Sequence, residues 1–549
     1  MAEGSANTAG ESVRVDPPAQ PLTATGRSRL PRWAWPIGLA VVVVVLFVCY
    51  VRLSGTIPDN SDGSDQALQA WDVLHGNWLL RGWTVGDVSY YTTEIPEYMI
   101  VEKIIGLGAN VVHVAAGLTY TLLAGWLAKG RATGREGVVR ALIASGILLA
   151  PQLGHGVHLL IQQPDHIGTQ VPLFAVFIVL DRGPRRWYIP AAVMVMLTWV
   201  IVSDRAGVFT AALPLAAVCG LRVLRALGRD RKRLASQWFE SGLAAAGIVS
   251  FVLATLVVSV IKQLGGYTPL PLPGRVASVG SLPAHVVLTM EGTLNLYGAD
   301  FIGMRAGVAF AVALVHLAGL ALALWGFCLA ARRFFSATDL IVPVLATGIV
   351  FNLVAYIFST VPATWFDTRE ITAVLPLGAV LAGRQLAEPL VRARLQPVLA
   401  VVLAVYAAAL GYGAAQPPVA DNEHPVVGWL EAHHLVTGLG TYTEANVITL
   451  DSGGRVAVRT VTWEHSGAVP RAYESEASWY DPRKNYANFV VTNAADGGGT
   501  SAIPRRDILA LAGPPARTYH YKTFTIMVWN RNLLADLGHP PSALPGDIP

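Results

Sequence analysis

Apolar runs long enough to cross a bilayer core, which takes about 20 residues as a helix, recur through the first three quarters of the chain. The pattern predicts about eleven spans, near 33–51, 107–128, 138–154, 168–181, 187–203, 206–222, 241–262, 306–330, 339–358, 370–386 and 394–413. The first run, from Trp33 to about Val51, is longer than a signal-peptide core and is followed by no small-x-small cleavage site, so it reads as a retained span. Residues 1–32 have no apolar period and many small polar residues and prolines, the composition of a disordered tail. From about Ala415 the spans stop. Short β-like runs follow, NVITL, RVAVRTVTW, NFVVT and the alternating TYHYKTFTIMVW, separated by turn formers such as Asp451-Ser-Gly-Gly and Asp496-Gly-Gly-Gly, with a short helix predicted over Val427–Leu435.

Loop charge tests the span count and orients it. With the N-terminus inside, the cytoplasmic segments hold 21 basic residues, including Lys129, Arg185, Arg222 and Arg384, against 8 outside. This is the positive-inside bias, and a wrong count would scramble it from the error onward. The fold class expected is therefore a polytopic α-helical membrane protein, N-terminus in and C-terminus out. Its parts are a cytoplasmic tail (1–32), a multi-span domain (33–415) with long outside loops at 53–106 and 263–305, and a small extracytoplasmic α+β domain (416–549) that packs independently. Composition agrees: 53% of the 549 residues are hydrophobic and 14% charged, where soluble domains carry about 25% charged residues. A net charge of +4 gives no support for nucleic-acid binding. All three cysteines lie in apolar runs, so the polar segments have neither disulfides nor thiolate metal sites. The ratio of 34 Arg to 6 Lys, with abundant Ala, Gly and Val, points to a GC-rich bacterial genome.

Polar residues concentrate in three outside loops. In the first, Ser64 is placed to cap a short helix whose apolar face is Ala67, Leu68, Trp71 and Leu74 and which Gly76 ends. Such a helix is expected to lie along the membrane surface. The second loop is rich in Pro and Gly and carries Arg275, Glu291 and Tyr297; the third is the short TWFDTRE.

This layout resembles the GT-C superfamily of integral membrane glycosyltransferases, which includes protein O-mannosyltransferases and lipid A aminoarabinose transferases. The likeness is carried by the acidic run Asp59-Asn-Ser-Asp62-Gly-Ser-Asp65-Gln-Ala, by Glu94-Ile-Pro-Glu97-Tyr, by Arg369-Glu-Ile-Thr-Ala-Val-Leu-Pro376 and by the tail strands around Gly440–Leu450 and Arg455-Val-Ala-Val. Two positions depart from the family pattern: the acidic run has Asp-x-x-Asp spacings, and residue 370 is Glu where relatives often have an aromatic residue. The resemblance implies transfer of a sugar from a polyprenyl-phosphate carrier to an acceptor (glycan, lipid or protein) on the outer face of the cell membrane.

Inverting displacement needs one carboxylate to take the acceptor proton and a cation to balance the departing phosphate. Asp65, ahead of Asp62, is the expected base, with Glu94 or Glu97 as a second carboxylate. Arg369 is the expected phosphate clamp, since guanidinium binds phosphate through paired hydrogen bonds, and Asp59, Arg275 and Tyr297 are further substrate contacts. A divalent metal would serve in place of the guanidinium, but the sequence supplies no ligand set for one. His155, His158 and His166 with Asp165 lack a defined third ligand and read as loop polarity, and Asp204-Arg205 reads as an ion pair closing a turn. No P-loop, GxGxxG or HExxH occurs, which leaves ATP-driven transport, nucleotide-cofactor redox chemistry and zincin proteolysis without support. The competing classes are a transporter or lipid flippase, which would place charged groups at mid-membrane, and an inactive scaffold. Here the acids collect in outside loops, which favours surface chemistry.

Overall fold

The computed structural model describes residues 34–127, 133–229, 236–271, 274–419, 423–464, 467–493 and 505–538. The N-terminal tail, the Asp496 glycine turn, the Pro-rich end and the basic residues Lys129, Arg131, Arg231, Lys232 and Arg233 lie outside the described residues. The chain divides into two compact units, Met1–Val44 and Val45–Pro549. The described part of the first is the beginning of α1, and every contact discussed below lies within the second.

The first helices are α1 (Ala34–Ser54), α2 (Ser61–Leu74), α3 (Glu94–Ile105), α4 (Asn110–Leu127), α5 (Gly134–Leu148), α6 (His155–Leu160), α7 (Asp165–Arg182) and α8 (Tyr188–Ser203). A π-helical turn over Val208–Ala212 runs into α9 (Leu213–Arg229), and α10 (Trp238–Gln263), α11 (Leu282–Leu296), α12 (Val308–Arg332), α13 (Ile341–Ile357), α14 (Val374–Arg392) and α15 (Gln396–Ala414) follow. Each predicted span falls on a helix. Five helical stretches are long and apolar enough to cross a membrane by themselves: Pro36–Ser54, Val208–Gly228, Trp238–Gln263, Val308–Arg332 and Gln396–Ala414. Shorter apolar helices cover Asn110–Gly125, Tyr188–Ser203 and Ile341–Ile357. The chain is a multi-pass membrane protein.

Among these helices α14 is central, packing against α5, α12 and α13. Small residues permit the approach. A Cβ at Gly326 of α12 would stand 2.9 Å from the Ala382 backbone, and one at Gly383 would stand 2.7 Å from the Arg140 carbonyl oxygen.

The helix of the first loop differs from its expected form. Asn60, not Ser64, is the N-cap: its side chain accepts from the Gly63 N–H at 2.9 Å, which starts α2 a turn earlier. The helix is also enclosed rather than laid on a membrane surface. It packs against α3, α4 and a tail helix, and even its polar residues Ser64, Asp65, Gln66 and Gln69 are buried.

In the tail, α16 (Glu423–Ala432) leads to β3 (Thr437–Gly440), α17 (Tyr442–Asp451), β4 (Ala457–Glu464), β5 (Gly467–Pro470), β6 (Ser475–Glu476), β7 (Phe489–Asn493), α18 (Arg505–Ala512), β8 (Arg517–Tyr521) and β9 (Phe524–Val528). Strands β1 (Trp83–Val85) and β2 (Thr268–Pro269) belong to the long loops that follow α2 and α10. The main sheet has the order β5-β4-β3-β7-β9-β8, with β3 parallel to β4 and β7 and the remaining pairs antiparallel.

The NVITL run is helical, not a strand. Because β3 and β4 are parallel, no hairpin can join them, and α17 is the required crossover. Its residues from Glu444 to Asp451 are all buried, so the run shows no amphipathic period by which a sequence reading could separate helix from strand. The TYHYKTFTIMVW run is a hairpin, β8 pairing with β9, with Lys522 at positive φ (52°) in the turn.

Nor is the tail packed independently. β6 leaves the main sheet to pair with β1, which also pairs with β2, and Leu450 of α17 joins the apolar cluster of the first loop with Leu68, Val73, Trp83 and Tyr98.

The inside-to-outside charge bias makes a direct prediction. In a variant lacking the three native cysteines, a cysteine at exposed Lys484 should react with an impermeant maleimide in intact cells, and one at exposed Arg186 only after permeabilisation. Equal labelling of the two would contradict the orientation.

Candidate active site

Four distant stretches meet where the bundle adjoins the tail: the start of α2, the start of α7, the turn before α14, and the tail segment containing α17 and β6. Arg369 stands at their junction. Its Nη1 donates to Asp62 Oδ2 at 2.8 Å and to Asp165 Oδ2 at 3.4 Å, and the guanidinium lies 4.7 Å from the Phe366 ring centroid. Both contacts use one nitrogen, and among the described residues the other side of the planar fork makes no protein hydrogen bond. Burial opposes the charge on Arg369, but the carboxylates of Asp165 and Asp62 outweigh it and hold the guanidinium firmly protonated.

Asp62 keeps 19% of its side chain exposed. Its Oδ1 accepts a hydrogen bond from Tyr442 of α17, and the Tyr442 hydroxyl also meets Glu474. Ser61 fastens the same place by donating to the Tyr442 carbonyl at 2.5 Å. Asp165 accepts from the Tyr90 hydroxyl. Burial alone would raise the Asp165 carboxyl, yet Arg369 and His166 together hold it below the usual carboxylate range.

His166 is buried, and each ring nitrogen faces a carboxylate: Nδ1 lies 3.0 Å from Asp204 Oδ2 and Nε2 3.2 Å from Glu370 Oε1. Burial disfavours the cation, but Glu370, Asp165 and Asp204 prevail and keep His166 charged well above the usual imidazole range. With both nitrogens engaged as donors, the ring acts as a fixed positive charge and not as a metal ligand. Asp204 is thus the partner of His166 rather than of Arg205, contrary to the expected turn-closing ion pair. Among the described residues no group of three or more His, Cys, Asp and Glu is arranged to hold a metal ion. At the margin Asp87 is raised to about 6, first by burial and then by the charge of Glu370.

Backbone strain marks the same place. Tyr90 (φ 49°), Asp165 (φ 31°) and Glu474 (φ 52°) are non-glycine residues in the left-handed region, each costing on the order of 1–3 kcal/mol, and such residues cluster at functional sites.

The other candidate residues take different places. Asp65 is fully buried, accepts from Gln69, and is raised well above the carboxylate range by that burial. Asp59 is buried at the start of α2, accepting from Ser64 Oγ at 3.3 Å. Glu94 accepts from Thr93 and, at 2.9 Å, from Thr169; Glu97 accepts from Thr119. Burial lifts Glu94 well above its usual range and Glu97 to about 8, so both are neutral carboxyls that pack α3 against α4 and α7. Arg275 is exposed, and its backbone N–H donates to Thr360 Oγ1 at 2.9 Å. Tyr297 is buried in the bundle core with its hydroxyl donating to the Val374 carbonyl at 3.1 Å. Neither Arg275 nor Tyr297 joins the cluster at Arg369.

Tyr442, Glu474, Tyr90, Asp87 and Glu370 complete the site without having been singled out in the sequence as chemical groups. Tyr442 and Glu474 carried no local signal, since more than 370 positions separate them from Asp62.

No model of a known protein family matches the chain, and no curated protein matches it. Among solved structures it is similar to ArnT from Cupriavidus metallidurans bound to undecaprenyl phosphate, at 13% identity and a TM-score of 0.49 over 90% of this chain and 98% of that one. It is also similar to the Archaeoglobus fulgidus oligosaccharyltransferase in the apo form (12% identity, TM-score 0.46, 84% of this chain and 70% of that one). A third likeness is to the arabinosyltransferase EmbB from Mycobacterium smegmatis (14%, TM-score 0.31, 79% and 41%). All three belong to the GT-C superfamily that the sequence resembles. At these TM-scores the chemistry of the site stands on its own side chains.

The buried carboxyls of α3 give a prediction. Glu94→Gln and Glu97→Gln replace neutral groups by neutral groups of the same size, so each should change turnover only a few-fold. A loss of about 100-fold or more in either would show that the carboxyl acts as a base.

Proposed function

We propose that the chain is a membrane glycosyltransferase that moves a sugar from a polyprenyl-phosphate-linked donor to an acceptor hydroxyl at the outer face of the cell membrane. The observation that carries this reading is the pairing of Asp62, a partly exposed carboxylate, with Arg369, a guanidinium only partly used by its protein partners. In the reaction the acceptor oxygen attacks the anomeric carbon and its proton passes to Asp62. The bond from that carbon to the phosphate oxygen breaks, its electron pair leaving with the lipid phosphate. Arg369 presents its free N–H groups to that phosphate, and the His166 imidazolium adds positive charge behind it. The carboxylates of Asp62 and Asp165 favour the positive charge that develops at the anomeric carbon, as carboxylates do at oxocarbenium-like transition states. Seclusion between bundle and tail strengthens each of these interactions relative to water.

Transfer by purified protein from a polyprenyl-phosphate-linked sugar tests the assignment. Asp62→Asn should lower kcat by about 100- to 10,000-fold, the usual cost of losing a general base. Arg369→Gln should also depress transfer severely, because it removes the clamp and leaves Asp62 and Asp165 facing each other uncompensated. Activity within a few-fold of the parent in both variants would rule the reading out.

A further inference from the structure

The Tyr442 hydroxyl touches two carboxyl groups, Asp62 of the first loop and Glu474 of the tail, and has one hydrogen to give. Two carboxylates cannot both be satisfied by it. For both contacts to be hydrogen bonds, one carboxyl must itself carry a proton and donate to the tyrosine oxygen. The surroundings decide which. Asp62 is ion-paired with the Arg369 guanidinium, 2.8 Å away, and Glu474 has no such cation at hydrogen-bond distance among the described residues. Glu474 is buried and faces Asp65 and Asp62, and among the described residues its side chain accepts from the hydroxyls of Tyr442 and Tyr473. Arg471 lies over the Tyr442 and Tyr473 rings, 4.4 and 5.3 Å from their centroids, and Asp87 adds negative charge on the Tyr473 side.

We propose that Glu474 is a positioning residue for the transfer reaction: as a neutral acid it donates to Tyr442, which donates to Asp62, giving a one-way hydrogen-bond chain from the tail domain that orients the Asp62 carboxylate. The inference rests on the reading of Asp62 as the base. It gives the tail, which the sequence suggested would pack independently, a part in the chemistry. The backbone agrees with a built device, because Glu474 is held at φ 52° immediately before β6, the strand that clips the tail to the first loop. Burial, followed by the charges of Asp65 and Asp62, raises Glu474 well above the carboxylate range, and burial likewise keeps Tyr442 protonated. The sign follows. At neutral pH the chain is intact; as pH rises through the Glu474 value the acid is lost, the tyrosine faces two carboxylates, and turnover declines.

The pH dependence of kcat separates this role from simple packing. Glutamine at 474 supplies an N–H donor that does not titrate, and alanine supplies none. Glu474→Ala and Tyr442→Phe should each lower kcat by roughly tenfold or more, the loss of a hydrogen bond to a charged acceptor. Glu474→Gln should recover much of what alanine loses and should lose the alkaline limb of the profile or shift it upward. An unchanged alkaline limb in Glu474→Gln, or an unchanged kcat in Tyr442→Phe, would overturn the proposal. Asp62→Asn serves as the control: if it stays active the base reading itself fails, whereas if it is inactive and Glu474→Gln keeps the parent profile, only the chain fails. Infrared spectroscopy of the purified protein gives a readout free of any transfer assay. The difference between the spectra of parent and Glu474→Gln at neutral pH should show the loss of one protonated-carboxyl component from a band that Asp65, Glu94 and Glu97 share, and identical spectra would reject a neutral Glu474.

Discussion

The contact on which the site depends is the one between the Arg369 guanidinium and the carboxylates of Asp62 and Asp165. It joins residues 307 and 204 positions apart in the chain. Breaking a buried pair by removing one partner typically costs about 3–5 kcal/mol because a charge is left uncompensated, and partial exposure of this guanidinium places its cost toward the lower end. The pair is more informative as a constraint than as a source of stability. α2 and α7 must both present an acid to the same point, and the turn before α14 must hold the arginine between them. His166 repeats the arrangement on a smaller scale, its ring fixed between Asp204 and Glu370.

That constraint explains why the first loop is ordered rather than merely polar. α2 is enclosed by α3, α4 and α17, and its polar residues face protein. An acid placed at its first turn is therefore held in position instead of moving with a solvated loop. The neutral carboxyls of Glu94 and Glu97 serve the same enclosure, each accepting from threonines of adjacent elements. Charged groups at these positions would carry a desolvation penalty without an arginine to offset it.

The tail completes the site from the opposite side. Its sheet has its own core, yet β6 pairs with β1 and α17 lies on α2, so Tyr442 and Glu474 reach the same acid that Arg369 holds. Bundle and tail share the polar cluster, and Asp62 is where they meet.

Much of this was legible in the chain alone. The helical segments of the bundle could be read because apolar length is a local property, set by the thickness of hydrocarbon to be crossed, and the acidic run and Arg369 stood out because charges are scarce in such a composition. Strands β4 and β7 were visible as short β-like runs, and the segment of β8 and β9 by its alternation. The helix α17 was not, because burial on every side erases the period that distinguishes helix from strand, and only the parallel pairing of β3 with β4 requires a crossover there. Which aspartate of the acidic run faces the arginine was equally hidden. Asp62 and Asp65 lie within one turn of each other, and the packing of α2 decides that one meets Arg369 while the other is sealed off. The partners of His166 and the bond from Tyr442 to Asp62 are long-range contacts between polar side chains, which leave no periodic trace in a sequence. Local hydrophobicity determined the class of protein and the position of its helices; the charges were brought into a single site by tertiary packing, because only the folded chain sets how deeply each is buried and which opposite charge it meets.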